Sequence, residues 1–446
     1  MTADARGAET TELLQTLIRN QCVNEGTEES GQEIRNADTI QSFLEGAGLG
    51  VERYDAAPGR TNLVARIEGS DPNAPSLCFD GHTDVVPVTE SGWDRDPFGG
   101  ELIDGEVWGR GAVDMLSLTA SMAVVMRALA KDGFRPKGDL VFLAVADEEA
   151  GSKYGARWMA EHHPEVITTD YALSENGGIH SGPSEAPRIG MMIGEKGVAW
   201  RRLTLRGTPG HGSRPFRSDN ALVKAAGVVQ RITDYIPRAN FHELWRPQVE
   251  NLPIDDDAKA QLLDPGSIDE LLANMPNAAI AGHLHSCSHT TFSANVMNSQ
   301  TKTNVIPDTV TIDIDIRTMP GDGPDEVDAH LREALGDLYE HVEVEALMND
   351  QASASPADTP LWDSLARAVA NPFPTARITP EFIVGFTDNR VHRDLGAVAY
   401  GAGLFSPTLT GAEFGSRFHG NNERIDTESL ALTTQFYLDV VTDLLG

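Results

Sequence analysis

Hydrophobic positions along the chain change their period twice. Near the N-terminus, ELLQTLIRN and ADTIQSFLEG carry apolar residues at helical spacing, and TNLVARIE then reads as a strand. A short apolar run, SLCFD, follows. LSLTASMAVVMRALA is apolar on nearly every face, which predicts a buried helix. DLVFLAVA is a further strand, WMAEHH a helix end and DYALS another strand. Strands alternating with helices predict a mainly parallel sheet covered by helices on both faces.

From Gly197 the texture shifts. VAWRRLTLR alternates as a half-exposed strand, and NALVKAAGVVQRI is a helix. About Pro237 to Ser288 reads as a long irregular stretch. Strand-like TTFSANVM and TVTIDIDIR, the helix PDEVDAHLREAL and strand-like HVEVEAL complete the order β-α-β-β-α-β of a ferredoxin-like α+β domain. After about Gln351 the α/β pattern returns through LWDSLARAVA, AVAYGAG and LALTTQFYLDVVTDLL. The expected architecture is an α/β domain made of residues 1–196 and 351–446, with residues 197–350 inserted into it.

The length of 446 residues agrees with more than one core. A formal net charge of -32, from 67 acidic and 35 basic residues, argues against nucleic acid and membrane as partners. Cys22, Cys78 and Cys287 are scattered and form neither a disulfide framework nor a CxxC site. The opening MTADARGAETTE lacks an apolar signal core and no long uncharged span follows, so the chain reads as cytoplasmic.

Candidate chemistry gathers at strand ends. His82 and Asp84 follow SLCFD, Glu148 and Glu149 follow LVFLAVAD, and Glu175 follows YALS. Loops at the carboxyl ends of strands in an open α/β sheet converge on one crevice. Asp114 precedes the buried helix, and His419 lies in the returning segment RFHGNNER. A lone His82 reads as a polar strand cap. Together, though, these carboxylates are too many to share a crevice unless cations neutralise them. Nitrogen and oxygen donors without thiolates suit zinc, with manganese or cobalt as substitutes. Five ligands with one bridging carboxylate would hold two ions roughly 3.5–4 Å apart. Asp84 fits an orienting role, accepting the second ring N–H of His82.

DGHTDVVP, GRGAVDM, ADEEAGSKYG, LSENGG, GTPGHGSRP, NVIP and HGNNERI resemble, in order, the motifs of one zinc-hydrolase family. Its members include aminoacylases, acetylornithine deacetylase, succinyl-diaminopimelate desuccinylase, glutamate carboxypeptidase and the yeast-type vacuolar carboxypeptidase. The resemblance spans about Asn62 to Ile425. It implies two zinc ions, with His82 and Glu175 on one, Glu149 and His419 on the other, and Asp114 between them. Glu148 would be the general base for a metal-bridging hydroxide that attacks an amide carbonyl, and would then protonate the leaving amine.

The resemblance also implies that residues 197–350 are a lid and dimerisation domain. His211 would reach into the partner's site of a homodimer, and Asn304 and Arg317 would hold a substrate carboxylate. Plainer readings exist for each: a polar loop histidine, a turn asparagine, and an arginine paired with Asp313 or Asp315. GHLHSCSH places His283, His285, Cys287 and His289 at alternate positions. An extended chain would space same-face neighbours about 6.8 Å apart, too far for one ion without a bend. Two long segments, around LWRPQVENLPIDDD and LFSPTLTGAEF, look more like the vacuolar carboxypeptidase and fatty-acyl amino-acid hydrolase branch than the desuccinylase branch.

The expected function is therefore cleavage of an N-acyl amino acid or short peptide with a free carboxylate, by an aminoacylase or by a carboxypeptidase or dipeptidase. N-carbamoyl amino acid hydrolysis, or a non-catalytic binding role on the same fold, are the alternatives.

Overall fold

The computed structural model describes residues 2–252, 254–299 and 301–446. Two compact units emerge. The first takes the chain up to Ile193, then Ser355–Glu381 and Thr387–Gly446; the second comprises Gly194–Ala354 and Phe382–Phe386.

In the first unit, four parallel strands lie in the order Leu140–Val145, Leu77–His82, Tyr171–Ser174 and Val398–Gly401. Antiparallel neighbours flank them, Arg60–Ile67 and Val51–Ala57 on one side and Arg188–Glu195 on the other. Every residue of Leu77–His82 and Leu140–Val145 is buried, the state expected of parallel strands covered on both faces. The helix Leu116–Lys131 is buried along nearly all its length and packs with Ala3–Arg19 and Thr427–Leu445, so its apolar sequence has the predicted cause.

The connection leaving Leu77–His82 runs to the strand on one side, Leu140–Val145. That leaving Tyr171–Ser174 runs to strands on the other side. Loops that diverge in this way open a crevice at the carboxyl ends of the two strands. His82 and Glu175 stand at those two ends.

The second unit holds an antiparallel sheet in the order Thr291–Asn298, Thr309–Thr318, Arg201–Arg206, Val342–Ala346. Its strict burial alternation along Thr309–Thr318 marks one packed and one wet face. Ile312, Ile314 and Ile316 meet Val228, Ile232, Val327 and Leu331 from the helices Ala221–Asp234 and Pro324–Leu335. This is the ferredoxin-like arrangement that the strand and helix order predicts.

One expectation fails here. The stretch read as irregular contains the helices Trp245–Asn251, Asp256–Leu262, Ile268–Ala273 and Ala278–Ser288, around a small core of Trp245, Val249, Leu262, Ile268, Leu284 and Cys287. Three of these helices are only six or seven residues long and become stable by pooling apolar faces, which a single-window period does not reveal. Among the described residues no helix is long and apolar enough to cross a membrane.

Gly81 explains the glycine of DGHTD. A Cβ built there would lie 2.5 Å from Thr119 Oγ1, whose hydroxyl donates to the His82 carbonyl at 2.9 Å. Gly81→Ala should therefore push the buried helix off the strand end and cost about 1–3 kcal/mol of stability, read as a shift in urea midpoint at unchanged slope.

Candidate metal centre

The first unit brings seven of the predicted residues into one cluster. His82, the last residue of its strand, points Nε2 at Asp114 Oδ1, 3.1 Å away, and lies 3.9 Å from Glu175 Oε2. The other oxygen of Asp114 is 2.9 Å from His419 Nε2, which in turn lies 3.2 Å from Glu149 Oε2. Two groups of candidate donors result, His82–Asp114–Glu175 and Asp114–Glu149–His419, each with its ligand atoms within 4.8 Å of one another. Asp114 belongs to both. Glu148 is buried next to Glu149 but lies in neither group.

Local backbone chemistry sets these positions. Glu148–Ala150 forms a single tight turn between Asp147 and Gly151, both at positive φ, and Gly151 N–H closes it on the Glu148 carbonyl at 2.9 Å. The loop before Leu116–Lys131 is pinned by Glu423, whose Oε1 accepts from the N–H groups of Val113 and Asp114 at 2.7 and 3.1 Å. Arg110 pairs with Glu423 at 2.7 Å and donates to the carbonyl of His419 at 3.3 Å. One buried ion pair thus joins the Asp114 loop to the turn bearing His419, itself at φ 55°.

Asp84 has a wider role than orienting His82. The nearest acceptor to His82 Nδ1 is the Asp84 backbone carbonyl at 3.0 Å, with the carboxylate at 3.5 Å. That carboxylate instead accepts from the backbone N–H groups of Glu148 and Glu149, at 3.3 and 3.2 Å. Asp84 therefore ties the His82 strand end to the glutamate turn.

Burial and crowding of charge set the proton affinities in the cluster. Burial, with Asp388 and Glu149 near, holds the Glu148 carboxyl well above its usual range, and burial with Asp114 and Glu148 does the same to Glu175. Glu149 is pushed up to about 7 by burial and by Asp114. Burial disfavours a charged His419, yet Asp114 and Glu149 raise it to about 10; His82 is raised in the same way by Asp114, Asp84 and Glu175. Burial also opposes ionisation of Asp114, but bonds from His419 and His82 hold it well below normal. Glu148 Oε1, Glu149 Oε1 and Glu175 Oε2 are buried without a hydrogen-bond partner. Unpartnered carboxylate oxygens around two imidazoles fit divalent cations.

The other predicted residues fall in the second unit. His211 lies in the short strand Gly210–His211, paired with Val305–Ile306, and the Gly212 N–H donates to the Asn304 carbonyl at 2.8 Å. His211 and Asn304 are thus neighbours; the His211 ring is exposed and bonds Ser213 Oγ at 2.8 Å. Arg317 pairs with Asp315 at 2.8 Å and covers the Phe386 ring, leaving one buried guanidinium nitrogen, NH1, unpartnered. The extended geometry expected for GHLHSCSH is wrong: it lies mostly on the helix Ala278–Ser288. There, His283 meets Cys287 at 3.6 Å across one turn, and the His285 and His289 rings stack at 4.2 Å. Buried Leu284 and Cys287, three residues apart, face the small core, and that spacing was the overlooked helical signal.

Several residues at this site escaped sequence reasoning. Glu423 and Arg110 lie inside the motifs HGNNERI and GRGAVDM, but nothing in either motif marks the two as a pair. Asn24, Glu33 and Arg60 carry no local signal. Arg60 is wholly buried and pairs with Glu33 at 2.8 Å and Asp147 at 2.7 Å, a contact made only on folding.

An α/β sheet with this donor set at its switch point defines a metal-dependent hydrolase. Residues 78–443 match the pattern of peptidase family M20/M25/M40, and the chain belongs to that family. It is 28% identical over 403 residues to the N-fatty-acyl-amino acid synthase/hydrolase PM20D1 of Xenopus tropicalis, covering 87% of this chain and 76% of the relative. With the succinyl-diaminopimelate desuccinylase of Parvibaculum lavamentivorans the match is 30% over 236 residues, spanning 51% of this chain and 57% of that enzyme. Among solved structures, the dipeptidase Dug1p of Saccharomyces cerevisiae shares the fold with a TM-score of 0.74 at 16% identity, covering 99% of this chain and 97% of its own.

The burial that raises these carboxyls, and the neighbouring carboxylates that raise the imidazoles, favour the protonated forms, so a metal ion on the same atoms competes with protons. Zinc binding to chelator-treated protein at pH 7 should release protons, and apparent affinity should rise with pH. Calorimetry in buffers of different ionisation enthalpy checks the sign; heats independent of buffer would contradict it.

Proposed function

We propose that the protein is a dinuclear zinc amidohydrolase that cleaves an N-acyl amino acid or short peptide beside a free carboxylate. The observation that carries this reading is the sharing of Asp114 between two three-donor groups. His82 and Glu175 would hold one ion and Glu149 and His419 the other, with manganese or cobalt as possible substitutes for zinc. Two such ions, when bound, would lower the pKa of a water between them and polarise the scissile carbonyl.

The remaining steps belong to the chain. Glu148 sits beside a ligand without belonging to either donor group, and its buried Oε1 has no partner. It would take a proton from water at that atom and return it to the leaving amine. Asp84 keeps His82 and the glutamate turn in register. The free NH1 of Arg317, on a guanidinium held by Asp315 and Phe386, suits the substrate carboxylate. Asn304, beside His211, would add a second polar contact.

Similarity to the acyl-amino acid enzyme runs along 87% of the chain, against 51% for the desuccinylase, and favours an acyl-amino acid substrate. We further propose a homodimer formed through the inserted unit, to which His211 would contribute. Its strand Thr291–Asn298 pairs on one side only among the described residues and exposes Val296 and Met297.

Glu148→Ala should lower kcat by about 10²–10⁴-fold while both ions stay bound. Glu149→Ala should lose one ion. Metal analysis beside turnover of an acyl-amino acid and dipeptide panel, with zinc, manganese and cobalt, tests both; loss of metal in Glu148→Ala would exchange the two roles. Equal hydrolysis by chelated and metal-restored protein would refute the metal mechanism.

A further inference from the structure

Asn24 lies in the loop after the helix Ala3–Arg19, outside the segments that carry metal donors. Its backbone is fastened to the loop following His82, since Asn24 N–H donates to the Val85 carbonyl at 2.9 Å and Val85 N–H returns a bond to Cys22 at 2.9 Å. Its side chain is buried, at 4% exposure.

The amide nitrogen donates to Asp84 Oδ2 at 2.8 Å and to Asp147 Oδ1 at 2.9 Å. An amide nitrogen has two hydrogens, and both go to carboxylates on different strand-end loops. The amide oxygen accepts from Gly26 N–H at 2.9 Å and Ser30 Oγ at 3.3 Å, which requires the nitrogen to face the two acids.

Both acids grip the same turn. Asp84 accepts from the N–H groups of Glu148 and Glu149, while Asp147 begins the turn and accepts from Tyr154 N–H at 3.0 Å. Asp84 also stands 3.5 Å from His82 Nδ1. Arg60 bonds Asp147 and Glu33, so Asn24 supplies the donor that Asp84 and Asp147 have in common. Without it, two buried carboxylates face each other, and their repulsion acts on the loops bearing His82 and Glu149.

We propose that Asn24 is a positioning residue for the metal centre, its amide nitrogen clamping the Asp84 and Asp147 loops so that His82 and the Glu148–Glu149 turn keep their separation. The proposal rests on the dinuclear reading above. It predicts that Asn24 acts on metal affinity and on kcat, without touching substrate.

The test compares the full-length parent with Asn24→Ala, Asn24→Asp and Ser30→Ala. Zinc affinity is measured by chelator competition and ligand geometry by the visible spectrum of the cobalt-loaded protein. Asn24→Ala and Asn24→Asp should each lose about 10–100-fold in zinc affinity and shift the cobalt bands, with kcat reduced and KM within about twofold. Ser30→Ala removes a bond on the oxygen side of the amide and should match the parent. If Asn24→Ala does not fold, Asn24→Asp decides, since it keeps the size and the acceptor while removing the paired donors. Zinc affinity and cobalt spectra like the parent's in folded Asn24 variants would overturn the proposal, as would an equal loss in Ser30→Ala. A parent that binds fewer than two zinc ions per chain would instead overturn the dinuclear reading.

Discussion

The crowding of buried acids around Asp114 is the constraint on which the first unit depends. Asp84, Asp114, Glu148, Glu149 and Glu175 are all largely withdrawn from water. Asp84, Glu148 and Glu149 follow strands whose every residue is buried, Glu175 follows a third strand, and Asp114 precedes the buried helix. Ionised together in a medium of low polarity they would repel strongly. Two imidazoles and a raised affinity for protons relieve part of that repulsion, and divalent cations would relieve the rest. Metal dependence and the raised proton affinities of Glu148, Glu149 and Glu175 thus have one cause.

Such a cluster needs a rigid frame, and the frame is polar as well as apolar. Arg110 and Glu423 join the Asp114 loop to the His419 turn, and Arg60, Glu33, Asp147 and Asn24 lie behind the glutamate turn. Breaking a buried ion pair from one side leaves an uncompensated charge and is costly. These pairs accordingly act less as sources of stability than as fixings that hold the loops at set positions. The apolar helix Leu116–Lys131 presses on the same strand end through the contact that Gly81 permits.

The two units contain different kinds of information. The first holds all the candidate metal donors. The second supplies an antiparallel sheet, the His211 and Asn304 neighbourhood, the half-engaged Arg317, and a cluster of short helices with a core of its own. A metal centre of this type gives the reaction class, whereas choice among acyl groups and side chains depends on the residues that surround the substrate.

Sequence alone determined much of this protein. Continuous apolar runs marked the parallel strands, strict alternation marked Thr309–Thr318, and His82, Asp114, Glu149, Glu175 and His419 stood out because each ends a strand or flanks a glycine-rich turn. Those features are local, and a local pattern survives in one dimension. The four helices within 237–288 did not stand out, because most are too short for their period to show and gain stability by pooling their faces. The Arg317–Asp315 pair, two residues apart on one strand, was already legible, whereas the stacking of His285 on His289 and the use of the Asp84 carboxylate on the Glu148 and Glu149 amides were decided by the tertiary structure. So was the place of Asn24, whose partners are 60 and 123 residues away in the chain. Contacts over such separations depend on which loops the sheet order brings together, and no period in the sequence encodes that.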